Sequence, residues 1–155
     1  MRHAMPSRAI RRTILAASGF ALAGFAVPHS AHAAQTTAAE KANVKIVNDF
    51  CAAWTSHNLD RVMGFFAADC AYRVTETMEP NKGRQAVTDR IRSFLDRVDK
   101  FEVLDTFARG PMVINERKDH FNNFQLKMWH GVGVFFLKDG KIVEWYDYTI
   151  STERG

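Results

Sequence analysis

The sequence predicts an α+β domain, with helices first and a curved antiparallel sheet after them. Apolar residues recur at helical spacing between positions 44 and 98. From 101 to 150 the pattern shifts to strand-like runs, and Asp139-Gly140 marks a tight hairpin between the last two. Helices followed by a run of strands imply helices packed on one face of the sheet.

In chain order, residues 34–40 read as a flexible start. Val44, Val47, Phe50, Cys51 and Trp54 then define an amphipathic helix. Asn58 is placed to cap a second, short helix with Leu59, Val62, Met63 and Phe66 as its apolar residues. Residues 71–77 read as a strand and 79–83 as a loop. Val87, Ile91, Phe94, Leu95 and Val98 mark a third helix. Strands are expected at 101–108, 113–121, 126–137 and 141–150, with a break at Gly110-Pro111 and a turn at Asn122-Asn123.

Residues 1–33 read as an export signal and 34–155 as a single domain. Arg2, Arg8, Arg11 and Arg12 form a basic start, and an apolar stretch from Ile14 to Val27 follows. Ala31-His32-Ala33 then supplies small residues at a cleavage site. That stretch falls short of the roughly 20 residues a spanning helix needs. Arg11-Arg12-Thr13-Ile14-Leu15 also fits a twin-arginine signal, so both export routes stay open, and the expected destination is the periplasm or the exterior.

The leader holds four of the 21 Lys and Arg and none of the 17 Asp and Glu, so residues 34–155 balance at 17 of each. This balance argues against nucleic acid as a partner. No group of Cys, His and Asp has metal-ligand spacing, and neither a metal nor a cofactor is expected. Cys51 and Cys70 are the only cysteines. An oxidising compartment permits a bridge between them, whereas the place of Cys51 on an apolar helix face suits a buried free thiol.

The chemistry-bearing residues lie near the C-terminus. Side chains alternate across a strand, so Arg117 and Asp119 share one face of 113–121 while Glu116, Lys118 and His120 share the other. In 141–150, Asp147 is expected on the side of Val143 and Trp145. Two carboxylates around one guanidinium suggest acid–base chemistry in a sheltered pocket. With both ionised the cluster carries one net negative charge. One added proton makes it neutral, which a buried site favours. Phe121, Trp129 and Trp145 are expected to line an apolar substrate site, Met63, Phe94 and Leu95 to complete its wall, and Gly131 and Gly133 to leave space. His130 reads as a satisfied sheet histidine and His120 as exposed.

The chain resembles the limonene-1,2-epoxide hydrolase family, within the NTF2-like, SnoaL-like superfamily that includes ketosteroid isomerase. The resemblance is carried by Asn115-Glu116-Arg117-Lys118-Asp119 and by Asp139-Gly140-Lys141-Ile142 with Trp145-Tyr146-Asp147-Tyr148. Residues 46–54, 65–69 and 83–87 are typical of the wider superfamily. The resemblance implies a cone-shaped fold, with a curved mixed or antiparallel sheet and about three helices on its concave face, and a homodimer. It also implies an epoxide hydrolase that adds water in one step to a small, largely apolar epoxide. By that resemblance Asp147 is the general base, Asp119 the general acid and Arg117 the residue that holds both. A Tyr and an Asn position the water in the family. Tyr72 matches the Tyr, but the Asn position falls on Val74, which has no hydrogen-bonding side chain, and Thr75 and Glu76 are the nearby polar groups. Two other readings remain beside it: a proton-transfer enzyme of the ketosteroid isomerase or polyketide cyclase kind, and a binding protein for apolar small molecules without turnover.

Overall fold

The computed structural model describes residues 36–122 and 125–155. The leader reading lies outside the described residues, as does Asn123 of the expected turn.

Three helices precede most of the sheet. Helix α1 (Ala38–Ala53) starts earlier than its apolar stripe suggests. Thr37 and Glu40 form a capping box, with Glu40 N donating to Thr37 Oγ1 at 3.1 Å and Thr37 N to Glu40 Oε2 at 2.8 Å. Glu40 Oε1 also accepts from Gly110 N at 2.7 Å. The stretch expected to be a flexible start is therefore partly a tethered helical turn. Val47, Phe50 and Cys51 are buried on one face of α1, and Trp54 continues it in a following 3-10 turn. Helix α2 (Leu59–Met63) is capped by Asn58, which accepts from Arg61 N at 2.9 Å. Helix α3 (Arg84–Arg92) is followed by a 3-10 turn at Leu95–Arg97.

Six strands form one sheet: β1 (Phe66–Arg73), β2 (Asn81–Lys82), β3 (Val98–Arg109), β4 (Met112–Phe121), β5 (Leu126–Lys138) and β6 (Lys141–Arg154). Their order is β2-β1-β6-β5-β4-β3. The β1–β6 pair is parallel and the other pairs are antiparallel, so the sheet is mixed. Several boundaries shift from expectation. Phe66 opens β1 instead of closing α2, and Val98 opens β3 instead of closing α3. β1 also ends at Arg73, short of the expected 77. In each case local apolar spacing fits either element, and sheet pairing decides.

Register shifts give the sheet its curvature. Val103 faces Arg117 and Asp105 faces Glu116, which leaves Leu104 as an extra residue on β3. A similar shift lies between His130–Ser151 and Gly131–Thr149, at Ile150. The third matters most for the site. Phe136 faces Glu144 and Leu137 faces Ile142, so Val143 is the extra residue. Past this bulge Ile142, not Val143, is buried on the side of Trp145 and Asp147, which corrects the simple alternation expected for β6. The β5–β6 hairpin turns on Asp139 and Gly140, both at positive φ (50° and 72°), as a two-residue primed turn requires.

The core fills the space between α1 and the sheet. Phe50 packs against Trp54, Phe65, Phe66, Phe135 and Trp145 with ring centroids 5.1–6.0 Å apart and steep interplanar angles. Cys51 and Cys70 are both buried free thiols. Burial pushes the Cys51 thiol up to about 12, so it stays protonated, and its Sγ lies 3.6 Å from Asn115 Oδ1.

Candidate active site

Three neighbouring strands bring the ionisable residues together. β4 presents Asn115, Arg117 and Asp119 in succession on the covered face, which its alternating burial confirms. β5 lies beside it, with Gly133 opposite Asn115, Gly131 opposite Arg117 and Trp129 opposite Asp119. β6 follows, with Asp147 opposite Gly133. β1 completes the floor, Tyr72 being opposite Trp145.

The two glycines leave space, but for protein side chains. A Cβ at Gly133 would come 2.5 Å from Arg117 Nη1 and 3.1 Å from Asp147 Oδ1. A Cβ at Gly131 would overlap the Trp129 ring. Gly133 thus opens the path by which Arg117, on β4, crosses β5 to reach Asp147 on β6.

Arg117 Nε donates to Asp119 Oδ1 at 2.9 Å, and Nη2 donates to Asp119 Oδ2 at 3.2 Å and to Asp147 Oδ1 at 3.0 Å. The planar guanidinium suits this forked contact. Its carbon lies 4.8, 5.0 and 5.3 Å from the ring centroids of Phe101, Trp129 and Trp145, which cage the cation. Burial opposes its charge, but Asp119 and Asp147 outweigh that and hold the guanidinium above its ordinary pKa. Asp147 takes two further donors, Trp145 Nε1 at 2.7 Å to Oδ1 and the Tyr72 hydroxyl at 3.4 Å to Oδ2. Burial, and next the Asp147 charge, push the Tyr72 phenol well above its normal range, so it acts as a neutral donor.

Burial raises both carboxyls. Asp119 is pushed up to about 7 by desolvation, with the Asp147 charge adding to the rise and Arg117 opposing it. Asp147 is pushed up to about 6 by desolvation, against Arg117, Trp145 and Tyr72, which favour its ionised form. Among the described residues Asp119 has Arg117 alone as its hydrogen-bond donor, so the shared proton resides mainly on Asp119. The pair titrates as a unit.

A cavity of about 320 Å³ opens onto this cluster. Tyr72, Asp119, Asp147 and Trp129 line its sheet side, with Phe121 and Leu126. Phe94 lines the opposite wall with Arg90, Ser93 and Arg97, and Val74, Thr75 and Met78 form the rest. Phe94, Phe121 and Trp129 thus stand at the cavity as expected. Met63, Leu95 and Trp145 do not: they are fully packed into the core, where apolar burial is most complete. Trp145 still acts on the site from below, through its indole N–H on Asp147. Glu76 is engaged elsewhere, accepting from Thr149 N at 3.1 Å, which leaves Thr75 as the polar side chain next to Val74 on the wall. His130 is bonded to Glu116 at 2.9 Å and His120, half-buried, to Glu102 at 2.8 Å, both outside the cavity lining.

Arg90, Ser93, Phe94 and Arg97 were not all found from sequence. Their spacing of three, four and seven residues, the stripe that already contains Phe94, is the signal that holds them.

A curved open sheet with helices on one side and a part-apolar, part-ionisable cavity defines a small-molecule site of the NTF2-like kind. Residues 47–145 match the SnoaL-like domain, and the chain belongs to that family. The fold is similar to that of an LEH-like epoxide hydrolase from M. tuberculosis, at 24% identity over 71% of this chain and 84% of that one, with a TM-score of 0.63. It is also similar to a candidate ketosteroid isomerase from Kribbella flavida, at 14% identity over 75% and 83% of the two chains, TM-score 0.62. A candidate SnoaL-like polyketide cyclase from Jannaschia sp. matches at 12% identity over 75% and 90%, TM-score 0.64. Enzymes of several kinds therefore share this architecture.

Proposed function

We propose that the protein is an epoxide hydrolase that opens a small, largely apolar epoxide with water in one step. The observation that carries this reading is Arg117 bridging Asp119 and Asp147 on the wall of a cavity. Asp147, ionised and steadied by Trp145 and Tyr72, takes a proton from water as the water oxygen attacks an epoxide carbon. The carbon–oxygen bond breaks, and the departing oxygen takes the proton of Asp119. The product is a vicinal diol, and the pair still holds one proton, now on Asp147. Exchange with solvent resets it. Both carboxyls lie near neutral pH, where acid and base forms coexist.

A proton-transfer enzyme of the isomerase or cyclase kind is the second reading. Val74 favours it, because an apolar side chain on the cavity wall gives a nucleophilic water one fewer anchor. The test is incubation with cyclic and terpene epoxides, with diol as the readout, beside a 5-ene-3-ketosteroid with the conjugated isomer as the readout. Diol formation that rises several-fold in Val74→Asn supports the hydrolase. Isomerisation without diol overturns it, and binding without either product points to a noncatalytic carrier. Export with removal of residues 1–33, and a homodimer, are further proposals, read by N-terminal sequencing of the processed protein and by sedimentation.

A further inference from the structure

We infer that the ligand of this cavity carries a carboxylate, recognised by Arg90 and Arg97, in addition to its apolar body. The inference shares with the hydrolase reading only the choice of cavity.

Charged side chains are unevenly distributed over the lining of the cavity. Asp119 and Asp147, holding one proton beside Arg117, form a neutral group. Among the described residues no other carboxylate lines the cavity, whereas Arg90 and Arg97 both do. Arg90 enters no ion pair among the described residues, and its Nε is buried without a hydrogen-bond partner. A buried donor that no protein group matches is costly, and an acceptor on a ligand would match it. The Arg90 guanidinium carbon lies 5.6 Å from the Phe94 ring centroid, so its planar group is held against the wall. Arg97 follows seven residues later on the same wall, with Ser93 between them, its hydroxyl donating to the Arg90 carbonyl at 2.7 Å. Guanidinium groups match a carboxylate with paired donors, and a part-enclosed apolar cavity strengthens the attraction.

The geometry also sorts the ends of the ligand. The acid pair stands on the sheet side, and the arginines stand on the wall formed by α3 and the turn after it. Phe94, Phe121 and Trp129 supply apolar surface to the same cavity. A compact apolar ring with a carboxylate on one side and its reactive bond on the other fits this layout.

The test uses matched pairs that differ only in charge. Cyclohexanecarboxylate and cyclohexanecarboxamide are titrated against the protein, read by calorimetry and by tryptophan fluorescence, to which Trp129 contributes from the cavity lining. The carboxylate is expected to bind at least about tenfold more tightly, with a preference that weakens as salt is raised. The double variant Arg90→Gln with Arg97→Gln is expected to bring the two within about twofold, while Arg90→Lys alone keeps part of the preference. Thermal melts establish that each variant is folded. Equal affinity, no binding of either compound up to about 10 mM, or a preference that survives the double variant overturns the inference. The same pair as 3,4-epoxides separates this inference from the hydrolase reading. Charge-selective binding without diol sinks only the hydrolase. Diol formed equally from both sinks only the carboxylate.

Discussion

The two faces of β4 carry the same kinds of side chain and behave differently. On the covered face, Arg117 and Asp119 are 1% and 6% exposed and join Asp147 at 3%. On the outer face, one residue away, Glu116 pairs with His130 of β5 and His120 with Glu102 of β3, with side chains 20–43% exposed. Covered carboxyls are driven upward because desolvation outweighs the nearby guanidinium. Glu102 on the outer face moves the other way, lowered by the hydrogen bond from His120. Both faces set a carboxyl beside a nitrogen base, and the direction in which the carboxyl shifts follows its burial.

Removing one covered carboxyl tests this contrast most severely. Asp147→Asn and Asp119→Asn are each expected to lower diol formation by about 10²- to 10⁴-fold with the fold retained, since each amide is isosteric. Turnover assays with circular dichroism check it, and activity retained in a folded variant would break the contrast. The losses in the double variant should not multiply, because the carboxyls act as one unit.

Arg117→Ala comes next. It leaves two carboxyls buried without their cation and is expected to destabilise the protein by about 3–5 kcal/mol at pH 8. The loss should be smaller at pH 5, where the carboxyls take up protons. Urea unfolding at the two pH values reads both.

The pH response of the intact protein is a smaller and more pointed test. Asp119 and Asp147 have folded values near 7 and 6, above the ordinary carboxylate value of 3.8. The folded state therefore binds more protons than the unfolded chain between about pH 4 and 7. Stability from these groups is full below that window and is lost as pH rises through it, at roughly 1.4 kcal/mol per pH unit for each proton difference. Asp119→Asn should flatten the slope. Turnover should follow a bell, falling below about 6 as the base is protonated and above about 7 as the acid is lost.

The smallest effect is expected on the outer face. Glu116→Gln should change stability by less than about 1 kcal/mol and leave turnover as it is, because its pair is half in water. A large loss of turnover would show that the two faces are coupled.

Much of this site is legible in the strand alternation. The x-spaced pair Arg117 and Asp119 shares a face by backbone geometry alone, and helical spacing selects Val47, Phe50, Cys51 and Trp54 as one buried stripe. The cap at Asn58 and the Asp139-Gly140 turn are likewise local, and both follow from short-range backbone chemistry. The failures are where local patterns are ambiguous. Phe66 and Val98 fit the period of a helix and are taken by strands. Trp145 and Leu95 look like pocket aromatic and aliphatic lining and lie in the core, because apolar character alone does not separate a wall from an interior.

What the amino-acid order determined is therefore which side chains travel together along each strand and helix, including the ionisable trio and the order of helices before sheet. The tertiary structure decided the rest. The extra residue at Val143 sets which part of β6 faces inward, the missing side chain at Gly133 lets a guanidinium cross a strand, and the wall formed by α3 and the turn after it brings Arg90 and Arg97 to the cavity. These are non-local quantities: register depends on pairing between distant segments, and desolvation is a sum over every atom that excludes water, so neither can be read from the spacing of residues along one element.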